Sequence, residues 1–171
     1  MAAINWTKDL RAIYDKACAK YRAGEQLTDS FFDPADSAFL ALIGLRPINV
    51  FDHVEDLAKY GQPDWETFLL VAAARRDYFL HIQRGKWPAD RIEESSLPAK
   101  TDSIGGVEWL PRIARKAVCF LDGSLCEDIM YGCGGDRQFL AKFDVHAADF
   151  LRIAWAEHGD PAKILAHIRM N

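Results

Sequence analysis

The run Gly132-Cys133-Gly134-Gly135-Asp136 holds the residues of this chain best suited to chemistry. Cys133 stands where a helix is expected to begin, beside unpaired backbone N–H groups and the positive end of the helix dipole, which favour an anion. That points to nucleophilic or acid–base work by the thiol. The flanking glycines carry no Cβ, so backbone and substrate can approach the sulfur closely. The plain alternative is a small buried hydrophobe in a glycine-rich turn. Asp136 follows three residues later and suits a general acid or base in a cleft. It equally suits a helix cap, since Asp33 and Asp36 repeat the spacing of a capping box in the first half of the chain.

Arg112, Arg115 and Lys116 are three and four apart, so they share one side of a helix and could grip a carboxylate or phosphate. A solvated charged face is the commoner use of such residues. Arg112 is the candidate for electrostatic stabilisation of a reaction and Lys116 for holding substrate. Tyr131, Trp109 and His146 complete the expected pocket as substrate-binding groups, with an aromatic wall suited to a small organic molecule that has an apolar body and an anionic group.

No metal and no cofactor are expected. Cys119, Cys126 and Cys133 recur every seven residues, but no Cys-x-x-Cys pair accompanies them. A zinc site built on Cys126, Cys133 and His146 lacks an evident fourth ligand. No phosphate-cradling glycine loop is present. The formal net charge is −4 with a pI near 5.7 and no basic stripe, which argues against nucleic acid as a partner. The longest apolar run, Phe68 to Ala74, is too short to span a bilayer. The amino terminus has neither the basic start nor the apolar middle of a signal peptide, so a cytoplasmic location is expected.

The elements that must position these groups are helices. Leu10, Ile13, Tyr14, Ala17, Cys18 and Tyr21 follow helical spacing between Asn5 and Ala23. Asp33-Pro34 pairs a cap with a first-turn proline and opens a helix ending at Gly44. Further helices are predicted from Pro47 to Tyr60 and from near Pro63 toward Gly85. After a stretch rich in breakers, a helix carries Leu110, Ile113, Ala117 and Phe120, and others follow over about 136–143, over 146–157 and after Asp160-Pro161. Residues 125–131 read as a short strand or an extended loop.

Shifting the chain by one hundred positions aligns Leu10, Ile13, Lys16 and Ala17 with Leu110, Ile113, Lys116 and Ala117, and Asp36, Phe39, Leu40 and Ala41 with their counterparts. That is 8 identities in the 42 columns from 10 to 51. The expected fold is therefore all-α, with two pseudo-repeated helical units packed into one compact domain and a short strand allowed near each unit's midpoint. The units span 5–85 and 107–171, and the linker 86–106 is expected to lie against the body through Trp87, Ile92 and Leu97.

Gly105-Gly106, Leu110-Pro111-Arg112, Lys116-Ala117, Tyr131, Cys133, Asp136 and Phe139 together resemble the bacterial family catalogued as domain of unknown function 5069. The resemblance covers about residues 105–170. Where that family has aspartate before the lysine this chain has Arg115, and Gly134-Gly135 replaces Pro-Leu. The family implies no reaction, so the resemblance marks residues without naming a substrate.

The sequence thus suggests a small enzyme without a cofactor, acting by acid–base or thiol chemistry in a pocket of the second repeat and at the interface between repeats. The alternative is a noncatalytic helical module that binds a ligand or another protein. A homodimer is compatible with either.

Overall fold

A computed structural model of the chain describes residues 5–169. The protein is all-α, with eight α-helices and one two-stranded hairpin among the described residues. None of these helices is long and apolar enough to cross a membrane. The chain divides into two compact units at Ala72 and Ala73.

The first unit is built on α1 (Trp6–Arg22), α2 (Pro34–Leu42) and α3 (Pro47–Tyr60). Asn5 caps α1 by accepting from the Lys8 N–H, and the apolar stripe then turns Leu10, Ile13, Tyr14 and Ala17 inward. Asp33 caps α2, its carboxylate accepting from the Asp36 N–H at 2.8 Å. The α1 stripe buries itself with Phe31, Leu40, Val50 and Phe68, whose ring stacks on Tyr14 with centroids 5.1 Å apart. Each leucine, isoleucine, valine or phenylalanine among them adds about 1.5–3 kcal/mol by leaving water. α4 (Trp65–Asp77) begins in this unit and ends in the next.

The second unit continues through a π turn (Tyr78–Ile82) and a 3-10 turn (Glu94–Ser96) into β1 (Ser103–Ile104) and β2 (Val107–Glu108). Then come α5 (Leu110–Asp122), α6 (Gly134–Lys142), α7 (Ala147–Ala156) and α8 (Pro161–Ile168). α5 is the hub, packing against both α7 and α8, with Leu110, Ile113, Ala117 and Leu121 almost wholly buried. An aspartate at position 113 would break this unit, because its charge would have no partner in an apolar seam.

The short strands differ in place from the sequence expectation. Residues 125–131 form a loop with turns at 127–128 and 131, the second of the two forms expected for them, whereas the strands pair across the end of the expected linker and the start of the expected second unit, with Ser103 opposite Glu108 and Ile104 opposite Val107. Gly105 and Gly106 have φ of 56° and 77°, the left-handed values that a tight two-residue hairpin turn demands. Segment 86–106 belongs to the second unit and packs on the rest of it through the three residues expected to do so. Leu97 is buried, the Ile92 N–H donates to the Ser124 carbonyl at 2.8 Å, and Trp87 packs beside Phe79. Buried Arg75 ties the start of the unit to the end of α5 by donating to the Leu121 carbonyl at 2.6 Å.

At the shift of one hundred, α2 and α6 coincide end to end, and α3 and α7 share their first residue. The cap is what changes. The Asp33 side chain accepts from the Asp36 N–H of α2, while the side chain of Cys133 makes no capping bond to α6.

Candidate functional site

The second unit carries a buried ion pair at its centre. Lys116 on α5 donates through Nζ to Asp136 Oδ2 on α6 at 2.5 Å, and the two side chains are 3 % and 0 % exposed. Removing two charges from water costs several kcal/mol per ion unless the remaining hydrogen-bonding positions are filled. Most are filled here. The Gly132 N–H donates to the same Oδ2 at 2.9 Å, the Trp109 indole N–H donates to Oδ1 at 2.9 Å, and Lys116 reaches Cys133 Sγ at 3.4 Å.

Trp109 is the unusual member. It precedes α5 with φ of 70° and ψ of −25°, a left-handed conformation that a bulky residue rarely adopts. Such a backbone costs on the order of 1–3 kcal/mol and persists only where its surroundings fix it. Two contacts do so: the bond to Asp136, and the seat of the indole on Gly135. A Cβ on Gly135 would lie 2.4 Å from the ring. The glycine is therefore required for close approach, and the strained tryptophan rests on the first turn of α6.

The outer side of this arrangement is a cleft of about 460 Å³, within the usual range of small-molecule sites. Gly135, Gln138, Phe139, Lys142 and Phe143 form one stripe of α6 and its end along one wall. Trp109, the hairpin residues Gly106, Val107 and Glu108, and Lys100 form the rest. Phe139 and Phe143 lie together with centroids 5.0 Å apart.

The sequence candidates divide accordingly. Asp136, Lys116, Cys133 and Trp109 are brought together. Tyr131 is fully buried beside them, its ring stacked on Phe120 and its hydroxyl donating to the Ala147 carbonyl at 2.7 Å. Burial, and then the nearby Asp136 charge, push that hydroxyl well above the usual tyrosine range, so it stays protonated as a fixed donor. Arg112 is elsewhere. Its guanidinium donates to the Pro98 carbonyl at 2.8 Å and to Glu94 at 3.4 Å, clasping segment 94–98. His146 is exposed and caps α7, with Nδ1 accepting from the Ala148 N–H at 3.1 Å.

Only Trp109 and Gly135 belong to both the cluster and the cleft. Lys116 and Asp136 stand behind the wall, and Cys133 is half-buried at the cap of α6. No group of three metal-ligating side chains occurs among the described residues, and Cys126, Cys133 and His146 do not form one. The lining residues Lys100, Gln138, Phe139, Lys142 and Phe143 were not among the sequence candidates. The spacing of 135, 138, 139, 142 and 143 was a signal that could have found most of them.

No protein-family model matches the chain, and no curated protein or solved structure matches it either.

Proposed function

We propose that the second unit binds a small organic molecule in the cleft, against the face of Trp109. The observation that carries this reading is the cost accepted to hold one aromatic ring in place, namely a left-handed tryptophan backbone, a glycine without which the ring would not fit, and a buried carboxylate committed to the indole N–H. Preorganisation of this kind lowers the ordering cost of binding. Asp136 and Lys116 are then positioning residues, acting on ligand through Trp109. Of the residues that resemble the domain of unknown function 5069 family, Gly106 and Phe139 line the cleft and Lys116, Cys133 and Asp136 make the cluster behind it, so membership of that family fits the proposal. The same reading takes the two units as diverged copies, the cleft being a property of the second.

A screen of small organic molecules followed by intrinsic fluorescence tests this. Binding should change the emission of the protein, Trp109→Leu should abolish the change, and Trp65→Phe should leave it. Hits whose signal survives Trp109→Leu would overturn the reading.

A thiol enzyme is the second reading, favoured by the contact between Lys116 Nζ and the half-buried Cys133 sulfur. It predicts that alkylation of Cys133 slows when Lys116 is replaced by methionine. An unchanged rate would leave the cysteine as filler.

A further inference from the structure

We infer that the ligand of the cleft is an organic anion with a flat apolar body, its charge met by Lys100 and Lys142. The inference rests on the reading above that the cleft binds a small molecule. The sequence suggested Arg112, Arg115 and Lys116 as the groups gripping an anion, but Arg112 is committed to the Pro98 carbonyl and Glu94, Lys116 to Asp136 and Cys133, and Arg115 does not line the cleft. Lys100 and Lys142 line the cleft, are exposed, and take part in no ion pair among the described residues.

Charge and shape agree. The cleft holds two ammonium groups against the single carboxylate of Glu108, so it is locally positive on a chain whose net charge is −4. An anion is drawn to that spot on a chain whose overall charge disfavours it. Trp109, Phe139 and Phe143 supply aromatic walls for a flat body. Lys142 lies seven residues along α6 from Gly135, about 10 Å at the helical rise, so the charge of the ligand is held away from the ring stacked on Trp109. Lysine is a compact charge on a flexible stem and serves carboxylate, sulfonate or phosphate alike. The class is therefore set by body and sign rather than by one acidic group.

Two probes with one ring system separate the parts of this claim. 1-Anilinonaphthalene-8-sulfonate carries the charge, and N-phenyl-1-naphthylamine is its neutral counterpart. Titrated into the full chain at low salt, the anion should bind roughly tenfold more tightly, the order expected for two partly exposed charge pairs. The gap should narrow as salt is added. The double variant Lys100→Glu/Lys142→Glu should bring the anion to the affinity of the neutral probe or below while leaving the neutral probe unchanged. Both lysines are exposed, and unchanged circular dichroism would establish that the variant is folded.

Equal affinities that both depend on Trp109, or an anion preference indifferent to the lysine reversals, would overturn the anion claim and leave the cleft standing. Failure of both probes to bind, or binding of both unaltered by Trp109→Leu, would overturn the cleft itself.

Discussion

Lys16 and Asp36 in the first unit form the same pair as Lys116 and Asp136 in the second, one hundred positions apart, yet the two pairs live in different surroundings. The first closes at 2.9 Å with its lysine side chain 57 % exposed, while the second is sealed. Around the first pair the chain has Asp9, Asp33 and Ala35, and around the second it has Trp109, Cys133 and Gly135. Asp33 leaves α2 capped and polar. With Cys133 in its place, Trp109 bonds to the aspartate of the pair, and Gly135 leaves that ring room to approach α6. An exposed ion pair on a helix is worth little. The same pair under an indole becomes the anchor of an aromatic surface, and only the unit that carries the indole has the Trp109 cleft.

Removing one carboxylate from each unit should separate them most widely. Asp136→Ala leaves a buried ammonium and an indole N–H unpaired and should cost about 3–5 kcal/mol in denaturant unfolding. Asp36→Ala should cost no more than about 1 kcal/mol. Similar losses would mean that burial does not distinguish the pairs.

The units should also part in their response to pH. Position 52 on α3 is aspartate and position 152 on α7 is arginine. Burial, with the charges of Glu55 and Asp56, pushes the Asp52 carboxyl up to about 7. A carboxyl raised in the folded state contributes its full stability below the ordinary value of about 3.9 and loses it as pH climbs through 7. The slope is at most about 1.4 kcal/mol per pH unit over that window. Asp52→Asn should flatten it, and a slope that persists would place its origin elsewhere.

Gly135→Ala should displace Trp109 from its seat, with a loss of about 1–3 kcal/mol from overpacking and the disappearance of ligand-dependent fluorescence. Ala35→Gly, at the matching column, should cost no more than about 1 kcal/mol. The smallest contrast is at the caps. Asp33→Ala removes a bond to the Asp36 N–H and should lower stability by about 0.5–2 kcal/mol, while Cys133→Ala removes none. Equal effects on thermal unfolding would count against the difference in capping.

Much of the framework was legible because its signals are local. Asn5, Asp33-Pro34, Gly61 and Asp160-Pro161 mark helix ends through backbone chemistry within four residues, and the helices begin or stop where those residues stand. The site was legible only in part. Lys116, Cys133, Asp136 and Trp109 were chosen for their types and do converge, but nothing local says that Asp136 turns from capping to a lysine twenty positions back. The clasp that takes Arg112 away from the cluster was silent because its shorter bond is to the backbone carbonyl of Pro98, and a carbonyl has no signature in sequence. The left-handed backbone of Trp109 was equally silent, since it is imposed by contacts with α6. The strands appeared at Gly105-Gly106, where a turn signal lay inside a stretch read as linker.

The central claim is that the sealed Lys116–Asp136 pair, unlike Lys16–Asp36, holds the Trp109 ring in place. Hydrogen exchange at the Trp109 indole N–H, assigned by Trp109→Phe and followed by NMR, tests it most directly. Exchange should be slow in the unaltered chain, markedly faster in Lys116→Met and unchanged in Lys16→Met. Exchange at the rate of a free indole in the unaltered chain, or protection that survives Lys116→Met, would contradict it.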